Sequence, residues 1–183
     1  MKSGESGQRF SPFAITVLVL LAAIGFALWL AYLPWRWERI KEELRKRHPS
    51  MSRIDADGLR EWLGRPDGPK PVLVDVRTQP EYDYSHLPGA KRMDRDGTPA
   101  AFQIAESTNE SIVIYDAMGA DAYPVAESLV KRGYAQVQVL EGGIFEWANR
   151  GQHLIGPTGR TTRVRPANPE IGSHLRRHAR ANP

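Results

Sequence analysis

Two aspartates in the stretch YDAMGADAYP, residues 115–124, stand where a chain commonly holds an anion. The apolar run SIVIY ahead of them reads as a buried strand ending in a Gly-containing loop, and the residues after them read as a helix. A strand, a tight loop and a helix start bring several backbone N–H groups together, and such convergence favours negative charge. Here Asp116 and Asp121 supply that charge from the protein itself. Three chemistries suit them: a carboxylate nucleophile for phosphoryl transfer, a pair of ligands for a divalent metal, or a carboxylate that takes the anion's place on the loop amides. Asp94 and Asp96 in MDRDG form a second acidic pair, in a sequence of the kind that makes turns.

The chain of 183 residues contains no cysteine, which removes disulfides, thiolate metal sites and every thiol-based mechanism. Its formal charge of +4 is unevenly spread. Residues 1–51 hold 8 Lys/Arg against 4 Asp/Glu, residues 52–151 hold 11 against 16, and residues 152–183 hold 6 against 1. An acidic middle between basic flanks argues against nucleic-acid binding by the globular part.

The elements that must position the loop alternate in type. SRI predicts a short strand, DADGLREWLG a helix capped by aspartate and stopped at Gly64, and PVLVDVR a strand buried on both faces. TPAAFQIAES predicts a helix, SIVIY a second buried strand, YPVAESLVKRG a helix, VQVL a third strand and IFEWANRG a last helix. Strands and helices alternating at short spacing predict an α/β domain with a mostly parallel central sheet flanked by helices, over residues 51–151.

The flanks differ. After a short tail, residues 1–12, the segment FAITVLVLLAAIGFALWLAY carries no charge over residues 13–32. At about 1.5 Å rise per residue, that length matches a hydrocarbon core of about 30 Å and predicts a transmembrane helix over 13–33. A cleaved signal peptide is the alternative, and it would have a shorter apolar region. Trp29, Tyr32, Trp35 and Trp37 cluster at one end, at headgroup level. Only Lys2 and Arg9 precede the span, whereas Arg36, Arg39, Lys41, Arg45, Lys46 and Arg47 follow it. This imbalance predicts a single-pass protein of a bacterial-type inner membrane, N-terminus outside and globular domain cytoplasmic. Residues 34–50 read as a charged juxtamembrane helix ending before Pro49, either attracted to anionic lipid or simply solvated. Residues 152–183 lack apolar periodicity, so this basic tail is expected to be disordered alone. Its Arg160, Arg163, Arg165, Arg176 and Arg177 could lie along an acidic partner or an anionic membrane.

Three segments in order carry a family resemblance. VLVDVRTQPEYDYSHLPGA, SIVIYDAMGADAYPVAESLVKRGY and VQVLEGGIFEWANRG together resemble the rhodanese-like domain family across practically the whole globular part, with Ser85 where glycine is usual. The resemblance implies framework roles for Asp75, Arg77, Glu81, His86, Gly89, Gly142, Gly143 and Trp147. Arg77 is expected to pair with Glu81, and His86 to brace a loop. It also implies a cysteine at the first position of the active loop and an arginine five positions later. In the loop Asp116, Ala117, Met118, Gly119, Ala120 and Asp121, both positions are aspartate. A carboxylate cannot form a persulfide, and exchanging arginine for aspartate repels an anionic donor, so no catalytic residue and no cofactor are expected.

An inert loop points to a membrane-anchored interaction module, a subunit or assembly factor of a membrane protein complex, with the bilayer and a membrane-associated protein as partners. The alternatives are a regulatory domain binding a metal or a small cationic or neutral ligand, and an aspartate-based phosphotransferase or hydrolase of the haloacid-dehalogenase or receiver type. For the dehalogenase type, Met118 stands where a second aspartate would be wanted. If Asp116 closes the loop on itself, its carboxyl is expected to titrate below the usual range.

Overall fold

The structure, a computed structural model, describes residues 11–95 and 107–181, the side chains of residues 29–36 excepted. These residues divide into two compact units at Ile40/Lys41. The second unit is built on a sheet of five parallel strands in the order β1 (Arg53–Ile54), β5 (Gln136–Leu140), β4 (Ser111–Tyr115), β2 (Val72–Asp75), β3 (Lys91–Arg92). The central strand β4 explains the apolar run in the sequence. Ile112, Val113, Ile114 and Tyr115 are all fully buried, as in a strand covered on both faces. In register, Asp75 at the end of β2 lies beside Tyr115 at the end of β4, so both strands deliver their C-terminal residues to one edge.

Helices α2 (Ala56–Gly64), α4 (Ala122–Lys131) and α5 (Gly143–Asn149) fall within a few residues of the segments the sequence marks. Asp55 caps α2, accepting from the Gly58 N–H at 2.7 Å, and Leu59 is fully buried beneath it. Two short elements carry too little pattern to be read in advance: β3 and α3 (Gln79–Tyr84), the latter opened by Thr78 and Pro80. The helix expected at residues 98–107 lies almost wholly outside the described residues.

A single helix, α1 (Pro12–Arg47), covers the segments read as a span and a juxtamembrane helix. Phe13, Leu18, Val19, Leu20, Leu21, Ile24, Phe26 and Leu28 are exposed along its first part. Among the described residues no helix is long and apolar enough to cross a membrane, and the side chains of residues 29–32, the end of the uncharged run, are not among them. The turns from Lys41 onward belong to the second compact unit.

The expectation of a disordered tail is corrected. Residues 154–161 form an antiparallel hairpin of β6 (Leu154–Gly156) and β7 (Gly159–Thr161), followed by α6 (Pro169–Gly172). Leu154, Val164, Leu175, Ala179 and Ala181 are buried. These five are too irregularly spaced to show one helical or strand period across the segment, yet together they give it a core-facing side. Backbone bonds finish the docking. His86 and Ile155 exchange N–H···O bonds at 2.9 Å each way, and Asn149 donates to the His174 carbonyl and accepts from the Arg176 N–H.

Asn149→Ala removes both side-chain bonds at the end of α5 and leaves the two backbone groups without their partners. The expected cost is about 1–3 kcal/mol, read as a lower urea midpoint, with tryptic cleavage after Arg176 and Arg177 preceding that within the sheet. Unchanged stability and cleavage order would show that the segment is held elsewhere.

Candidate functional site: a closed loop at the sheet edge

The loop after β4 is closed by its own first residue. The Asp116 carboxylate accepts from the Asp121 N–H at 2.8 Å through Oδ2 and from the Gly119 N–H through Oδ1. Only 2% of Asp116 is exposed. The Gly119 and Asp121 amides thus meet a carboxylate that is covalently part of the loop. Gly119 takes φ +106°, a left-handed conformation that lets the chain turn back over the carboxylate.

The loop's outer backbone is gripped by the start of α5. The Ile144 N–H donates to the Asp116 carbonyl at 2.9 Å and the Phe145 N–H to that of Ala117 at 3.1 Å. This contact accounts for the paired glycines. Gly142 and Gly143 adopt φ +75° and +57°, and a Cβ at Gly143 would run into the carbonyls of Asp116 and Ala117. On the other side Arg95 binds Asp121 at 2.9 Å and donates through Nε to the Val76 carbonyl at 3.1 Å. The cation at the mouth of the loop is therefore on a different segment, and the carboxylate is on the loop.

Burial pushes the Asp116 carboxyl up to about 6, against the pull of the two amide bonds and of Arg95 and with a further push from Asp121. The expected downward shift is thus reversed. Removing a carboxylate from water costs more than two N–H groups and one half-exposed arginine return.

Behind the loop, Asp75 and Arg77 form a pair at 2.6 Å with almost no exposure. The Arg77 Nη2 also donates to the Ser85 carbonyl at 2.6 Å. Burial works to lower the Arg77 pKa, but the hydrogen bond and charge of Asp75 outweigh it and leave it raised. The expected Arg77–Glu81 pair is replaced by this one, because Asp75 is two residues away on the same turn. Glu81 instead closes a capping box on α3 through Thr78. His86 donates from Nδ1 to the Tyr82 carbonyl at 2.9 Å and stacks on the Tyr82 ring with centroids 4.0 Å apart, so it braces the chain before Gly89, itself at φ +76°. Trp147 is buried and donates to the His153 carbonyl at 3.1 Å. Tyr115, missed in the sequence reading, joins the two halves: its buried hydroxyl accepts from the Leu87 N–H at 3.0 Å, and burial beside Asp75 pushes its pKa well above the usual value.

Among the described residues no group of three or more His, Asp or Glu is placed to hold a metal ion. Asp94 pairs with Arg92, and Asp96 lies outside the described residues. Of the residues expected at the membrane or a partner, the side chains of Trp29, Tyr32, Trp35 and Arg36 also lie outside them, whereas Arg39, Lys46, Arg47, Arg160, Arg163, Arg165, Arg176 and Arg177 are exposed. Trp37 and Arg45 are partly covered. Lys46 and Arg47 pair with Glu42 and Glu43 one turn back, and Arg165 lies over the Tyr84 ring at 5.3 Å.

Comparison with known proteins agrees with this architecture. The family described as "Rhodanese-like domain" matches residues 56–150. A sulfurtransferase of Allochromatium vinosum is 30% identical over 109 residues, 60% of this chain and 99% of the relative. The thiosulfate sulfurtransferase GlpE of Pseudomonas fluorescens is 32% identical over 76 residues, 42% of this chain and 69% of the relative. Among solved structures, the rhodanese-like domain of the Anabaena protein Alr3790 superposes with a TM-score of 0.52 at 24% identity, covering 57% of this chain and 78% of that one.

The raised Asp116 pKa has a consequence for stability. The folded state holds this proton more tightly than the unfolded chain, whose value is 3.8, so the contribution is complete below about pH 4 and is lost as pH rises through about 6. The expected loss is on the order of 3 kcal/mol at most, level above pH 7. Urea unfolding across this range should show the decline in the native chain and its absence in Asp116→Asn; equal slopes would place the titration elsewhere.

Proposed function

We propose that this chain, which belongs to the rhodanese-like domain family, is a non-catalytic member that works by binding another protein while anchored to a membrane. The observation that carries the first half is Asp116. It stands where the family resemblance implies the sulfur-accepting cysteine, it occupies the loop amides itself, and the chain has no thiol to substitute for it. Oxygen at this position is a hard, weak nucleophile toward sulfur, and Asp121 beside it would repel an anionic donor. The names of the relatives describe sulfur transfer by those proteins; in this chain the same scaffold serves for contact.

The anchor rests on the uncharged stretch of residues 13–32, a spanning length, and on the apolar side chains that α1 exposes along its first part. The basic residues that follow support a cytoplasmic side for the globular domain at a bacterial-type inner membrane. Surface chemistry narrows the kind of contact. In the globular unit Val130 is the one large apolar side chain that is exposed among the described residues, so a partner meets the domain through polar and charged groups. Arg160, Arg163, Arg176 and Arg177 are exposed on the ordered C-terminal segment and make no ion pair there among the described residues, which suits an acidic protein face. Tethering raises the effective concentration of such a contact, so a modest interface suffices in a subunit or assembly factor of a membrane complex.

Extraction of native membranes in mild detergent, followed by size separation and mass measurement, is expected to give this chain in a complex of fixed composition. Replacing Arg160, Arg163, Arg176 and Arg177 by glutamate should dissociate it, while Asp116→Asn should not. A chain released by salt or alkali without detergent, or recovered alone, would contradict the proposal.

A further inference from the structure

The loop is also closed from outside, by the end of α1. Leu44 is buried, and its Cδ1 lies 3.7 Å from where a Cβ on Gly119 would stand. The next residue, Arg45, grips Glu141 with two hydrogen bonds, Nε to Oε1 at 2.7 Å and Nη2 to Oε2 at 2.6 Å. Glu141 links β5 to Gly142, the residue that opens α5 and its grip on the loop carbonyls. One turn on, His48 Nδ1 lies 2.7 Å from Glu127 Oε1, and the His48 ring stacks on Tyr123 with centroids 4.6 Å apart. Glu127 and Tyr123 both lie on α4, the helix that leaves the loop.

Leu44 thus sits over the loop's glycine, Arg45 holds the element on one side of it and His48 the element on the other. A bidentate arginine–carboxylate pair fixes direction as well as distance, and the Glu141 side chain, 14% exposed, has little water to fall back on. We infer that Lys41–His48 is a strap built over the loop 116–121, the outer counterpart of the Asp116 carboxylate inside it. The strap belongs to the globular unit but continues the chain of residues 12–40 without a break in the helix. Lifting the strap bares Gly119, the first turn of α4 and the Glu141 carboxylate as one new surface. Exposure of the loop is thereby set by whether the strap is seated.

Hydrogen exchange on the full chain in detergent micelles tests it. The informative amides are those of Gly119 and Asp121, which donate to Asp116. Arg45→Glu sets like charges against each other, and these two amides should exchange at least about tenfold faster while those of β4 keep their protection. Arg45→Glu combined with Glu141→Arg should restore the native rates. If the charge reversal frees the amides of residues 44–48 and leaves Gly119 and Asp121 as protected as before, or if neither set changes, the strap does not hold the loop and the inference is overturned. Should a charge reversal strip protection from β4 as well, Leu44→Ala makes the same comparison with no charge altered: faster exchange at Gly119 and Asp121 supports the strap, and native rates overturn it.

Discussion

A carboxylate bonded to the backbone of its own loop is the constraint around which this domain is arranged. Loop amides that converge at the C-terminal edge of a parallel sheet require an acceptor, and Asp116 is that acceptor, supplied by the chain. The choice has a cost that burial makes visible. A carboxyl group with 2% exposure holds its proton up to about pH 6 despite two amide donors. The domain tolerates this because so much else fixes the loop: α5 holds its carbonyls, Arg95 holds Asp121, and Leu44 covers Gly119.

The remaining framework supports that edge. Asp75 and Arg77 neutralise each other in a fully buried pair, and Arg77 ties the pair to the Ser85 carbonyl. Tyr115, the last residue of β4, reaches from the strand that feeds the loop to the Leu87 amide. The two sides of the sheet edge are therefore joined by polar contacts within a dry environment. Such contacts fix position sharply, since breaking one leaves a buried charge or donor unmet.

Much of this was legible in the residues, because the fold's strongest signals are local. SIVIY is uninterrupted and apolar, so its reading as β4 matches residue for residue. Gly142 and Gly143 are adjacent, and their left-handed backbone follows from the absence of a Cβ. Reading failed where the deciding partner is far away in sequence or the effect is a balance. Arg45 and Glu141 are 96 residues apart, so the sequence reads the helix end as lipid-attracted or solvated, whereas Arg45 is bonded into the globular unit. The C-terminal segment looked disordered because its five buried side chains share no single period, and their burial comes from contacts that only the folded domain supplies. For Asp116 the geometry followed from the loop's amides, whereas the direction of its pKa depended on how completely the loop is covered.

The family's scaffold is thus retained with its active loop filled inside by Asp116 and covered outside by Leu44. On the proposed reading, contact falls to its surfaces, the exposed arginines of the C-terminal segment and the helix that leads into the domain. The central claim is that the loop amides are already occupied and cannot accept another anion. Following the Gly119 and Asp121 amide resonances of the purified chain while thiosulfate is added at neutral pH tests this most directly. The account predicts no saturable shift at either amide and no thiocyanate on addition of cyanide; saturable shifts at both, with thiocyanate formed, would contradict it.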